Sequence, residues 1–222
     1  MTPAIETNSN LSKVSDSSST DTTWSKLYEE SIEVLAKNNS NHIFESETCE
    51  QGAAIIKNII RFSDKSVYIY VNELKIELSV RIPGLLDNIR KFLKKNDSEL
   101  FIVVNEKRLP ANQNTNDDLG ILRLCHLYVD KFQLKIANDA FRNSIKKVKD
   151  ELEIDQELYF VTGDKKAFQI MTIGEKYKGY GSFNNSVFAK KLHESFLESF
   201  SQCDNYFNQK ELLQEVLYDI AA

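Results

Sequence analysis

Apolar positions along the chain alternate between two rhythms. Short β-rich runs are separated by longer stretches in which apolar residues recur every three or four positions, the spacing of a helix with one buried face. His42–Ser46 reads as a short strand. Thr48 then opens a helix, with Gln51 placed three residues on for a capping box. Ala53, Ala54, Ile55, Ile56, Ile59, Ile60 and Phe62 make this helix apolar around most of its circumference, which predicts deep burial. Ser66–Val71 (SVYIYV) is the first strong strand. A mixed connector, 72–82, runs to Pro83-Gly84, and a helix follows over Leu85–Lys95. Glu99–Val104 (ELFIVV) is a second buried strand. The polar loop Asn105–Asn116, with Lys107, Arg108 and Pro110, leads to a helix begun by Asp117 or Asp118. Gln133–Ile136 is a third strand. Asn138 caps a helix with Phe141, Ile145 and Val148 on one side and Arg142, Lys146, Lys147 and Lys149 on the other.

The stretch from Glu157 to Asn185 changes character. Leu158–Thr162 is a strand, Gly163-Asp164-Lys165 is turn chemistry, and Ala167–Ile173 is a second strand. Gly174-Glu175-Lys176 turns again, Tyr177–Tyr180 returns, and Gly181-Ser182-Phe183-Asn184 delivers the chain to an amphipathic helix over Val187–Phe200. Strands alternating with helices predict an α/β fold. Its mixed sheet is expected to be mostly parallel, covered by helices on both faces, with antiparallel hairpin strands added late. Residues 42–202 form the expected α/β domain.

Both flanks differ from this core. Residues 1–23 are rich in Ser, Thr, Asn and Asp and carry too little apolar surface to offset their ordering entropy, so a disordered tail is expected. Residues 24–41 form an amphipathic helix and linker, with Trp24, Leu27, Tyr28, Ile32, Val34 and Leu35 on its apolar face. Residues 203–222 hold a final amphipathic helix over Gln209–Ile220. Each terminal helix either packs back on the domain or docks a second subunit or partner protein.

Composition narrows the function classes. The 222 residues, 41% of them hydrophobic, are enough for one buried core. A net charge of −5 argues against a general nucleic-acid coat, while leaving room for a local basic patch. No apolar run approaches the roughly 18 residues of a membrane span, and the N-terminus lacks a signal-peptide pattern. Three scattered cysteines, Cys49, Cys125 and Cys203, fit a reducing compartment, so a cytoplasmic protein is expected. No Gly-rich phosphate loop, dinucleotide fingerprint, zinc-protease helix or nucleophile elbow is present, and no cofactor or metal is expected. Cys125-His126 are neighbours on a helix and diverge, and His193 reads as a surface histidine.

The chemistry worth following lies at the corner after the hairpin. Two polar side chains, Ser182 and Asn184, stand on a backbone relaxed by Gly179 and Gly181, which suits a phosphate or other anion. The same two residues also suit a helix cap. Gly181, Ser182 and Asn184 form G-S-x-N, and Asp164 lies in a D-K-K turn upstream. In this the chain resembles the second half of a phospholipase D-type repeat, whose motif is H-x-K-x4-D followed by G-S-x-N and a helix. The order of a strand, an Ala-rich helix and SVYIYV resembles the way such domains begin. Counting back from Asp164, the histidine and lysine positions hold Glu157 and Tyr159, and the gap to Gly181 is longer than the family's. Glutamate cannot act as the imidazole nucleophile beside a phosphodiester, and tyrosine cannot supply the cation.

The resemblance implies a catalytically silent module without catalytic residues. In it Asp164, Lys165, Lys166, Ser182 and Asn184 line a remnant phosphate groove. It further implies a homodimer, because single-repeat members of that family build their site across a two-fold axis. Such a module would be a scaffold or accessory protein for a larger protein partner or for nucleic acid, by analogy within a prokaryotic antiphage defence system. The alternative is a metal-dependent phosphodiesterase or nuclease, with Glu157 and Asp164 holding a divalent cation.

Overall fold

The computed structural model describes residues 18–73, 84–106, 116–173 and 178–206. The first helix, α1, spans Ser18–Lys37. It begins six residues before Trp24, inside the tract expected to be a disordered tail. The expected turn at Gly174-Glu175-Lys176, the Lys107–Pro110 part of the long loop and the helix at Gln209–Ile220 lie outside the described residues. The remaining helices are α2 (Cys49–Phe62), α3 (Leu85–Leu93), α4 (Asn116–Leu127), α5 (Asp139–Glu151) and α6 (Ser186–Phe200). The strands are β1 (Phe44–Ser46), β2 (Ser66–Val71), β3 (Glu99–Val104), β4 (Phe132–Ile136), β5 (Glu157–Gly163), β6 (Ala167–Ile173), β7 (Lys178–Ser182) and β8 (Asp204–Asn205).

The eight strands of the described residues form one sheet in the order β1-β7-β6-β5-β2-β3-β4-β8. The α/β class with helices on both faces stands, but the proportion of parallel pairing does not. Among the described strands only β2–β3 and β3–β4 are parallel. The β5–β6–β7 meander, its junctions with β1 and β2, and the β4–β8 pair are antiparallel. The reason is local. Helical crossovers link the first strands and return the chain in the same direction, whereas the Gly163–Lys166 turn is too short for anything but a reversal. β5 enters the sheet beside β2, so the hairpin half extends the sheet from its centre.

The two faces are covered by different helices. Gly163 lies so close to Ser63 and Ile59 of the α2 segment that a Cβ there would collide with the Ser63 hydroxyl. Glycine is therefore required where the end of β5 passes under α2. Phe160, on the opposite face of β5, meets Phe196 of α6, with ring centroids 6.3 Å apart. α2 is buried along most of its length, as its apolar circumference predicts. Thr48 caps it by accepting from the Gln51 amide, and the Gln51 side chain accepts from the Glu47 amide. α1 packs back onto α2 through buried Ile32 and Ala36 and the ion pairs Lys57–Glu29 and Arg61–Glu33, and onto β1 through a Tyr28 hydroxyl bond to the Glu45 carbonyl. On the other face, Tyr68, Phe101, Phe196 and Phe200 stack in one aromatic layer, edged by Phe141.

The turn between β5 and β6 is pinned to the start of β2. Asp164 and Lys165 adopt left-handed backbone, with φ of 50° and 57°. The Asp164 carboxylate accepts from the amides of Asp64 at 2.7 Å, Lys65 at 2.9 Å and Ser66 at 3.0 Å. The Asp164 amide donates to the Ser66 carbonyl at 2.9 Å. Three charge-assisted bonds to backbone amides and a tolerated left-handed φ are lost together in Asp164→Ala. That variant should lose about 2–3 kcal/mol in denaturant-monitored unfolding, with Asp164→Asn intermediate because asparagine keeps one acceptor and tolerates the backbone.

Candidate anion-binding corner

The corner is built where three chain segments end together: the start of β2, the β5–β6 turn and the end of β7. Ser182 pairs with Phe168 across the β6–β7 ladder, so the Gly-Ser-Phe-Asn segment lies beside the beginning of β6. The Asn185 amide donates to the Lys166 carbonyl at 2.7 Å and joins the segment to the turn. Asp164, Lys165, Lys166, Ser182 and Asn184 thus lie at one end of the sheet, though their side chains have different occupations. The Asp164 carboxylate is committed to the three β2 amides. Ser182 is fully buried, and its Oγ accepts from the Asn184 amide at 3.4 Å. The cap of α6 is neither Ser182 nor Asn184 but Asn185, whose Oδ1 accepts from the Phe188 amide at 3.2 Å. Asn184 and Lys165 are exposed and Lys166 is half-buried.

The groups left facing outward include four lysines, beside the exposed Asn184 and the Asp64 carboxylate that pairs with Lys95. Lys37, at the end of α1, and Lys65 join Lys165 and Lys166 at this end of the sheet, and none of the four makes an ion pair among the described residues. Two other lysines nearby are occupied. Lys95 Nζ donates to the Ser63 carbonyl at 2.5 Å, and Lys131 Nζ donates to the Lys95 carbonyl at 2.7 Å. A crevice of about 140 Å³ opens beside the turn, between the end of α1 and α2. Lys37, Asn39, Asn58, Ser63, Lys166 and Phe183 are among its walls. A larger groove of about 430 Å³ between α5 and α6 is lined by both signs of charge, Lys147 and Lys191 against Glu151, Glu194 and Glu198. The Lys191–Glu151 pair bridges its two helices, so it offers no concentrated field for an anion.

The motif frame counted back from Asp164 is not the spatial frame. Glu157 pairs with Ile173 at the far end of β5, roughly 20 Å from Asp164 at about 3.3 Å per residue. The two carboxylates cannot share a cation. Among the described residues no group of three or more His, Cys, Asp or Glu side chains is placed to hold a metal. Tyr159 also belongs to that far end, where its hydroxyl donates to Asn72 Oδ1 at 3.0 Å. Across the β6–β7 ladder Ser182 faces Phe168 and Gly181 faces Gln169, so neither ladder partner supplies an imidazole or an ammonium.

His193, read from the sequence as a surface residue, is only 2% exposed. Its ring lies 4.3 Å from that of Tyr68, and its Nδ1 has no hydrogen-bond partner. Burial, with a smaller contribution from the Lys165 charge, pushes its pKa down to about 4. The imidazole is therefore a neutral part of the aromatic layer at neutral pH. The signal for this burial was present in the helical spacing, since position 193 falls next to Leu192 and three residues before Phe196. Asn58, beside Lys57 in α2, was not singled out by the sequence pattern, yet it is 2% exposed.

A histidine with a depressed folded-state pKa contributes stability that is intact above the unfolded value of 6.5 and is lost as pH falls toward 4, because the unfolded chain binds the proton first. Unfolding free energy should drop across that window by up to about 3 kcal/mol through this residue. His193→Phe should flatten that segment of the pH profile relative to the parent in urea titrations.

No family model matches the chain, and no curated protein matches it in sequence. Solved structures do match in fold. TrmBL2, an archaeal chromatin protein described as showing a novel mode of DNA binding, superposes with a TM-score of 0.50 at 11% identity, over 84% of this chain and 64% of that one. The phospholipase D family member Nuc from Salmonella typhimurium gives 0.47 at 10% identity, over 75% of this chain and 99% of that one. Phosphatidylserine synthase from Haemophilus influenzae Rd KW20 gives 0.44 at 14% identity, over 81% and 44%. This chain thus spans just under two thirds of TrmBL2, and what the two share is the fold.

Proposed function

We propose that this chain is a non-catalytic phospholipase D-like module that holds the phosphate backbone of nucleic acid at the Lys165–Lys166 turn, as a homodimeric accessory subunit to a larger protein. The observation that carries this reading is the Lys166–Asn185 backbone bond, which fastens a lysine turn without ion pairs to the Gly-Ser-x-Asn corner. Glu157 and Tyr159, at the positions counted back from Asp164, supply neither the imidazole nor the ammonium of the phospholipase D motif, which favours a non-catalytic module. Lys165, Lys166 and Asn184 are the ligand-facing residues, while Asp164 and Ser182 hold the backbone that presents them. The fold shared with a DNA-binding chromatin protein supports nucleic acid as the anion. The packing of α1 onto its own α2 favours the groove over that helix as the contact surface.

Light scattering of the purified protein, with and without single- and double-stranded oligonucleotides at two salt concentrations, tests the reading. A dimer mass and salt-dependent binding are expected. Lys165→Ala with Lys166→Ala should weaken binding at least tenfold and reduce the slope of log K against log salt by roughly 1.5–2, as two phosphate contacts disappear. Unchanged binding in the double variant, or cleavage of a phosphodiester by the parent, would overturn it.

A further inference from the structure

The crevice beside the turn contains one group that a simple cation patch does not need. Asn58 is 2% exposed, its Nδ2 donates to the Ala54 carbonyl at 2.9 Å, and its Oδ1 has no partner. An unpaired buried acceptor costs free energy unless a ligand or water donates to it. Lys37 and Lys166 line the same crevice, so it combines positive charge with a hydrogen-bond acceptor. Ser63 offers no competing hydrogen, because its hydroxyl donates to the Ile59 carbonyl at 2.7 Å. An anion that satisfies both requirements must itself carry a donor. Sulfate at neutral pH has none, and neither does the internal diester of DNA. Hydrogen phosphate keeps one P–OH, and a ribose phosphate brings its 2′-hydroxyl.

We infer that the Lys37–Asn58–Lys166 crevice binds a phosphate accompanied by a hydroxyl hydrogen, with the two ammonium groups on the phosphate oxygens and Asn58 Oδ1 accepting from the hydroxyl. The inference deepens the reading of the adjacent corner as a phosphate site and rests on it. A volume of about 140 Å³ admits one tetrahedral anion or the edge of one nucleotide, so the crevice acts as a selector beside the corner. The hydroxyl comes either from free hydrogen phosphate or from RNA.

Thermal unfolding of the full chain in inorganic phosphate and in sulfate, at matched ionic strength and pH, is the first arm. Phosphate should raise the midpoint by a few degrees at concentrations well above its dissociation constant, and sulfate should not. Asn58→Leu should unfold at or above the parent's midpoint without anion, since it removes a buried orphan acceptor, and should lose the phosphate response. Lys37→Ala, an exposed change, should weaken that response without altering the ligand-free midpoint. The second arm compares RNA and DNA oligonucleotides of one sequence. A preference for RNA of several-fold that disappears in Asn58→Leu identifies ribose as the source, and equal binding with the phosphate response intact identifies the free ion. Equal shifts in phosphate and sulfate, or a response that survives Asn58→Leu, would overturn the inference. If neither nucleic acid binds but phosphate is still preferred, the corner reading fails and the crevice stands alone.

Discussion

One ladder joins the two halves of this sheet. β2, β3 and β4 run parallel and are linked through helices, while β5, β6, β7 and β1 alternate in direction. The halves meet only where β2 lies antiparallel to β5, from Val67 opposite Gly163 to Tyr70 opposite Phe160. At one end of that seam three consecutive β2-side amides, those of Asp64, Lys65 and Ser66, would point outward without partners. The Asp164 carboxylate takes all three. Its left-handed backbone, shared with Lys165, makes this reach compatible with a tight turn. The residues that lock the halves together and the residues that present positive charge are neighbours in one four-residue turn, so the geometry of the corner is inherited from the seam.

The opposite face fixes the other side of the corner. α6 starts immediately after the Gly-Ser-Phe-Asn segment, with Asn185 as its cap, and it is held by an aromatic layer that runs from Tyr68 through Phe196 to Phe101 and Phe200. His193 sits in that layer as a flat, uncharged ring against Tyr68. Protonating it would bury a cation close to Lys165, which is why both burial and that lysine depress its pKa. Gly181 completes the arrangement by letting Phe44 of β1 approach the β7 backbone, where any Cβ would collide with its ring.

Elements were legible in the sequence wherever their signals were local. The Thr48–Gln51 cap, the Asn138 cap, the SVYIYV and ELFIVV strands and the Gly163–Lys165 turn depend on neighbours a few residues away, and each lies where its pattern places it. Strand direction across the seam was not legible, because nothing in Leu158–Thr162 says that it will pair with a strand about ninety residues earlier. For the same reason Asp164 read as a motif aspartate, when its carboxylate closes contacts 98 to 100 residues away. The helix cap was misplaced because Ser182, Asn184 and Asn185 are all good caps, and contacts distant in sequence, such as Phe188 stacked on Phe168 and the Asn185 amide on the Lys166 carbonyl, accompany the observed register. His193 was misjudged by treating a polar residue as exposed, when its helical position put it on the buried stripe.

The division of labour at the corner has a consequence for recognition. Asp164 and Ser182, the two motif residues with the strongest hydrogen-bonding capacity, are spent on backbone groups, and Asn185 is spent on the helix cap. What faces outward at the turn is lysine, a flexible point charge with no preferred geometry. In a chain whose net charge is −5, such a patch attracts anions only over about a Debye length and cannot distinguish one phosphate from another. Selectivity must come from a group that is fixed, desolvated and unsatisfied. Beside the turn, that description fits Asn58, held by its bond to Ala54 on the buried side of α2 and lining a crevice that two of the lysines share. On the proposed reading, charge at the turn would set how strongly an anion is drawn in, and the buried amide would set which anion stays.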